Sequence, residues 1–165
     1  MNRSIIATYG SNLPSPPCAE NVSAGEKIYD SPKGWVASHI RSYTESGGRS
    51  GHRWHGVNTL LLTTRGRKTG RLRRTALIYG KDGERFVVVA SIGGAPKHPE
   101  WYLNVVANPD VRVQVGAEEF EAVASTVTGD QRPVLWKHMA QIWPDYDQYQ
   151  KKTKRTIPVV ALDRR

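Results

Sequence analysis

From Val57 onward, apolar and β-branched residues come in short runs, at 57–64, 73–80 and 85–91, punctuated by Gly70, Gly80 and the pair Asp82-Gly83. This pattern predicts a meander of antiparallel strands with a tight turn at Asp82-Gly83. Val111 to Val115 and Glu119 to Thr128 predict a further hairpin turned through Gly116, and Ile157 to Leu162 a last strand. Helical periodicity breaks in between. Ser31-Pro32 reads as N-cap and first-turn proline of a helix of about three turns. Its apolar stripe is Val36, Ile40 and Tyr43, and Gly47-Gly48 ends it. A second helix starts at His98-Pro99, carries Trp101, Tyr102, Val105 and Val106, and stops at Asn108-Pro109. Asp130 is expected to cap a third, lined by Leu135, Met139 and Ile142 and interrupted at Trp143-Pro144 before a polar, tyrosine-bearing segment up to Arg155. The expected class is mainly β with flanking helices. Six antiparallel strands with helices outside suit a small barrel better than a doubly wound sheet, which needs strands alternating regularly with helices.

Residues 11–30 do not fit this pattern. Pro14, Pro16, Pro17 and several small polar residues predict an extended or disordered arm over 1–30, followed by one domain over 31–165. A length of 165 residues agrees with a single core, and the 38% apolar share with a modest one. The stretch GRSGHRWHG at 48–56 holds two histidines, but no third zinc ligand follows before Asp82, so a loop covering the core through Trp54 is the better reading. The lone Cys18 excludes an internal disulfide framework and favours a cytoplasmic protein. No apolar run has the length of a membrane-spanning helix, which leaves peripheral membrane contact open.

Charge changes the picture more than composition does. The net charge is +9, and six cations fall within residues 65–74: Arg65, Arg67, Lys68, Arg71, Arg73 and Arg74. They sit on a strand-to-strand connection whose glycines, Gly66 and Gly70, bracket Arg67, Lys68 and Thr69, so backbone N–H groups and cationic heads can converge on one phosphate or carboxylate. Nucleic acid would call for interleaved aromatics or a helix-turn-helix, and neither is present, so a small anionic ligand ranks first.

No nucleophile elbow, paired carboxylates, metal-binding helix or Walker loop occurs, so any reaction belongs to a bound cofactor. Three regions converge on such a group. They are the basic loop, the strand end Val89-Ala90-Ser91 with Ile92-Gly93-Gly94, and the segment 143–149. Gly93 and Gly94 divide evenly between plain turn residues and a place where a flat ring meets backbone. Trp143, Tyr146 and Tyr149 recur every three residues among polar neighbours, which favours an aromatic lid with hydroxyl tips over a core stripe.

Four stretches, LLLTTRGRKTGRLRRT, VVVASIGGAPKHPEWYLNVVANP, WPDYDQYQ and RTIPVVAL, together resemble the deazaflavin-dependent nitroreductases of actinobacteria over roughly 47–160. The resemblance implies a split β-barrel that uses reduced 8-hydroxy-5-deazaflavin, coenzyme F-420. It implies that Arg67, Lys68 and Thr69 grip the cofactor's phosphate and acidic tail, with Arg73, Arg74, Thr75, Ala76, Leu77 and Ile78 alongside. Val89, Ala90, Ser91 and Ile92 line the ring; Trp101, Tyr102, Leu103 and Asn104 complete the site, and Tyr146 closes it. Ile78, Ser91, Trp143, Tyr146 and Tyr149 then face the substrate, Trp143 and Ile78 standing where the nitroimidazole-reducing relative has tyrosines.

The activity so implied is hydride transfer to an electron-poor quinone, enone or nitroaromatic. Ser91 or a tyrosine hydroxyl, Tyr146 among them, would steady the acceptor's oxygen, and Tyr149 or water would deliver the proton. Two alternatives stand beside it: an oxidoreductase using FMN on the same barrel, and a non-catalytic barrel that shelters a cofactor or lipid. Exposed edge strands allow either a monomer or a homodimer.

Overall fold

The computed structural model describes residues 25–165. The proline-rich stretch and Cys18 lie outside the described residues. The strands are β1 (Ile28–Asp30), β2 (Arg53–Trp54), β3 (Val57–Arg65), β4 (Leu72–Ile78), β5 (Gly80–Asp82), β6 (Arg85–Val89), β7 (Asp110–Val115), β8 (Glu118–Thr126) and β9 (Val159–Arg164). The helices are α1 (Gly34–Glu45), α2 (Glu100–Ala107), α3 (Gln131–Ile142) and α4 (Asp145–Lys152). They join in one sheet of order β1-β4-β3-β7-β8-β9-β6-β5, with β2 added to β3. Every pairing is antiparallel except that of β1 with β4.

Burial along each strand reports what covers it. Thr59 to Thr64 of β3 are buried without alternation because both faces are covered. Leu60 and Leu62 enter the main core with Phe86 and Val160, while Leu61 packs beneath Val36, Ile40 and Tyr43 of α1. β6 and β9 are covered on both sides too. Val88 and Leu162 face the main core, and Val87 and Ala161 face Leu135 and Met139 of α3. β8 alternates instead, with Phe120, Ala122 and Ala124 inward and the acidic Glu119 and Glu121 in water.

Four expectations need correction. The sheet has nine strands, and its hydrogen-bonded path is not closed into a six-stranded barrel. The run 73–80 divides at Tyr79, whose N–H still donates to Asn58 O on β3 at 3.1 Å, whereas Gly80 already pairs with Val87 of β6. The chain thus crosses from one end of the strand order to the other within one residue. Gly80 suits that corner because a Cβ there would lie 2.7 Å from Met139 Sδ. Second, order begins before Ser31, since Ile28–Asp30 already pair with Leu72–Arg74. Third, Ser31 is not the N-cap of α1; its N–H extends that pairing to Arg74 O at 2.9 Å, so the helix starts only once the chain has left the sheet, with Lys33 at the cap position and no side-chain cap. Fourth, Asp130 holds the N-cap position of α3, but its backbone is already helical and its side chain makes no capping bond.

No helix among the described residues is long and apolar enough to cross a membrane. The loop after α1 returns tightly to the β7–β8 turn, where a Cβ on Gly48 (φ 82°) would lie 2.3 Å from Gly116 backbone. Gly48→Ala is expected to cost about 3 kcal/mol or more in urea denaturation. Gly83→Ala, also at positive φ but in open space, should cost about 1 kcal/mol.

Candidate functional site

A cavity of about 740 Å³ opens between β4, the β3–β4 turn, the strand end after β6, and the helices α1, α2 and α4. One end is cationic. The turn closes through Gly66 N–H to Arg71 O and Gly70 N–H to Gly66 O, both at 2.8 Å, while Thr69 Oγ1 accepts from Arg71 N–H at 3.2 Å. Asn104 of α2 braces it from below: Oδ1 accepts from Arg67 N–H at 3.2 Å and from its Nη1 at 3.1 Å, and Nδ2 donates to Thr64 Oγ1 at 3.2 Å. Asn104 lines the cavity, yet its amide is spent on holding the turn.

The six cations divide by partner. Arg65 pairs with Glu26, behind the turn. Arg67 reaches Glu100 at 2.6 Å, and Arg74 reaches Asp30 at 2.6 Å. Arg71, Arg73 and Lys27 surround the ring of Tyr29. Lys68 has no ion pair among the described residues, and with Arg67, Arg73 and Arg74 it lines the cavity; Arg65 and Arg71 do not. Glu100 is 74% exposed, and the hydrogen bond from Arg67 holds its carboxyl below the usual range. An anionic ligand entering here therefore competes with one carboxylate for Arg67.

The other end is built on backbone. After Val89 the chain turns through Ile92 (φ 43°), Gly93 (φ 64°) and Gly94 (φ 82°), three successive left-handed residues. A left-handed isoleucine is strained, and strain of this kind gathers where function requires a fixed backbone. Two contacts hold it. Gly94 abuts α4 so closely that a Cβ would meet Tyr149 O at 2.6 Å. Arg155 donates to Ala95 O at 2.8 Å, Ala90 O at 3.2 Å, Ser91 O at 2.8 Å and His98 Nδ1 at 3.1 Å. Burial, then the Arg155 charge, lowers the His98 pKa, so its Nδ1 keeps the lone pair that accepts. Arg155 lay inside a motif of the sequence and received no role there.

Of the residues expected here, Thr69, Thr75, Ala76, Leu77, Ile78, Val89, Ser91, Ile92, Trp101, Trp143, Tyr146 and Tyr149 also line the cavity. Ala90, Tyr102 and Leu103 do not. Strand alternation turns the fully buried Ala90 away from its neighbours Val89 and Ser91. On α2 the cavity face is Trp101 and Asn104, while Tyr102 packs on the main core with its hydroxyl 3.0 Å from Thr126 Oγ1. Tyr146 is 4% exposed, and burial followed by Tyr149 pushes its pKa far up, so the phenol stays protonated and can donate a hydrogen bond.

The sequence reading missed a wall. Trp35 stacks on Trp54 with centroids 5.5 Å apart, and Trp54 lies 5.6 Å from Trp143. Trp54 therefore lines the cavity mouth and does not cover the core. Lys33, His39 and Thr59 belong to the same wall. The available signal was the second stripe of α1, Trp35 and His39 four residues apart, beside the apolar stripe.

A β-sheet groove with a cationic turn at one end and a strained strand end walled by aromatics at the other is suited to a long, flat, anionic molecule. The chain belongs to the F420H(2)-dependent quinone reductase family, whose model matches residues 35–164. It is 42% identical over 131 residues to the F420H(2)-dependent quinone reductase Rv1261c of Mycobacterium tuberculosis, covering 77% of this chain and 88% of that protein. A solved F420-H2 dependent reductase, FDR-A, is 40% identical with a TM-score of 0.60 over 64% of this chain and 93% of its own. A solved domain-swapped dimer is 37% identical with a TM-score of 0.61 over 81% of this chain and 100% of its own.

Replacing Arg155 by leucine should strand the carbonyls of Ala90, Ser91 and Ala95, lowering stability by about 2–3 kcal/mol. Hydrogen exchange at the 91–95 amides should speed up beyond the global change, and Arg155→Lys should restore only part of the protection.

Proposed function

We propose that this cavity seats reduced 8-hydroxy-5-deazaflavin and that the protein uses it to reduce a quinone. The observation that carries the reading is the polarity of the groove, with Lys68 and Arg73 holding no carboxylate among the described residues at one end and the left-handed Ile92–Gly93 backbone at the other. The residues fit the group. Arg67, Lys68, Thr69, Arg73 and Arg74 would hold its phosphate and acidic tail, and Val89, Ser91, Ile92 and Trp101 its ring. When bound, the deazaflavin supplies a two-electron hydride and reacts poorly with oxygen. The relatives named as quinone reductases support a quinone as acceptor.

The chain's own work is positioning, exclusion of water and hydrogen bonding. Trp143, Tyr146 and Tyr149 close the ring end, with Tyr146 and Tyr149 edge to face at 6.1 Å. Ser91 Oγ and the tyrosine hydroxyls donate to the acceptor's oxygen as negative charge develops there. The curled β3–β9 sheet serves as the split barrel of this reading, and residues from β1 onward form its single domain. The domain-swapped neighbour favours a homodimer.

Two substitutions should move cofactor affinity in opposite directions. Lys68→Ala should weaken deazaflavin binding about tenfold, the worth of one charge-assisted hydrogen bond, and flatten its salt dependence. Glu100→Gln should tighten binding about threefold by releasing Arg67 from its competing carboxylate. Fluorescence titration, with FMN run in parallel, reads both; equal affinity for FMN would overturn the deazaflavin assignment.

A further inference from the structure

The hydride supplies two electrons and one hydrogen, and a quinone that receives it needs one proton more to become a hydroquinone. Serine and phenol hydroxyls part with a proton reluctantly near neutrality, whereas an imidazolium does so readily. His39 lines the cavity.

One contact of its own and the placement of two neighbours, Thr59 and Trp35, tie it to the acceptor end. His39 Nε2 lies 3.2 Å from Oγ1 of Thr59, which is buried. Thr59 is the register partner of Ile78, one of the cavity residues. One helical turn before His39, Trp35 stacks on Trp54, which in turn packs against Trp143. The imidazole thus shares its wall with Ile78 and Trp143 and lies away from the cationic turn.

The hydrogen bonds also fix the tautomer. The Thr59 hydroxyl has one proton and donates it to Gly51 O at 2.6 Å, so it must accept from His39 Nε2–H. Nδ1 is then the nitrogen that titrates, and it has no hydrogen-bond partner among the described residues.

We propose that His39 is the proton donor of this site. As the hydride reaches the quinone, the Nδ1–H of the imidazolium passes its proton to the oxyanion that forms, giving the hydroquinone. The neutral imidazole then takes a proton back from water. Thr59 anchors the ring through Nε2 in both protonation states. The inference rests on the hydride-transfer reading above.

Burial lowers the His39 pKa from its ordinary 6.5, and the Gly51 carbonyl opposes that shift in part. The groups that face it are few. Tyr43 stands on its own helix at 6.2 Å between centroids, and the preceding loop brings His52, itself bonded to Tyr79 OH at 2.9 Å. On β2, Arg53 is turned to Gly56 O, and just beyond it His55 packs on Trp54; ahead of α1, Lys33 lines the same cavity. On β4, Arg73 and the Asp30-paired Arg74 lie four or more register positions from Ile78, about 13 Å or more along the strand. No charged side chain contributes to the shift. The imidazolium is therefore a minor species at neutral pH, and a neighbouring oxyanion raises its share at the moment the proton is needed.

The test measures kcat for menadione reduction by the deazaflavin-loaded enzyme against pH, with cofactor affinity read separately by fluorescence. Wild-type kcat should rise as pH falls and level off below pH 6.5. His39→Gln should lose that rise and fall about 10²-fold at the plateau, while its deazaflavin affinity stays within about twofold. His39→Ala should regain rate, together with the lost pH dependence, when free imidazole is added. Retention of the wild-type pH profile by His39→Gln, or its loss in Tyr149→Phe alone, would overturn the assignment. A wild-type protein that neither binds nor oxidises reduced deazaflavin would overturn the function itself.

Discussion

The register of one hairpin sets the dimensions of the site. β3 and β4 pair from Thr59–Ile78 to Arg65–Leu72, a span of about 20 Å. The cationic turn lies at one end of that span and the Ile78–Thr59 pair at the other. A slip of one residue would exchange the faces of β4 and turn the alternate side chains along the groove. The slip is opposed on both sides of β3, because Leu60 and Leu62 fill the main core while Leu61 sits under α1. The length over which a flat anionic molecule can lie is thus a property of core packing, fixed before any ligand arrives.

Electrostatics then divides the groove unevenly. Arg67 and Arg74 hold carboxylates at 2.6 Å, which orders their side chains but screens their charge. Exposed pairs of this kind contribute little to stability. Their value is preorganisation, since a guanidinium already aimed along the wall loses less entropy when a phosphate replaces the carboxylate. At the other end Arg155 has no carboxylate among the described residues; it is satisfied by three carbonyls and an imidazole. It therefore projects its charge toward the strand end while holding that backbone in shape.

The sequence was most legible where one strand or helix decides its own form. The β3–β4 hairpin, the Asp82-Gly83 turn, α2 and the break at Trp143-Pro144 follow from period and punctuation, and the structure places them close to where they were expected. It was least legible where a distant partner wins. Ser31 looks like a cap, but its N–H is claimed by Arg74 O across the sheet. Trp54 looks like a core residue, and only the approach of Trp35 and Trp143 makes it a cavity wall. Lys68, Ser91 and Tyr149, which line the cavity, stand out from local composition and resemblance. Arg155 and His39 do not, because their meaning resides in carbonyls and hydroxyls contributed by other segments.

This difference has a functional counterpart. The cationic turn, the strand end and the lid come from compact stretches of chain braced by buried polar contacts such as Asn104 to Thr64. The wall beside the proposed acceptor end draws on α1 and β2, which join the sheet through Val36, Ile40 and Tyr43 and through two β2 pairings. Tyr43 and His39 tie that helix to the frame by hydrogen bonds: Tyr43 donates to Thr59 O at 3.0 Å and accepts from Gly116 N–H at 2.7 Å, and His39 Nε2 lies 3.2 Å from Thr59 Oγ1. On the proposed reading, substitutions at Trp35 or Trp54 act on the acceptor and leave the cationic turn in place, because the two ends of the groove meet through the β3–β4 register and the Trp54–Trp143 contact. On that reading, the fold holds one redox partner constant and leaves the other open to variation.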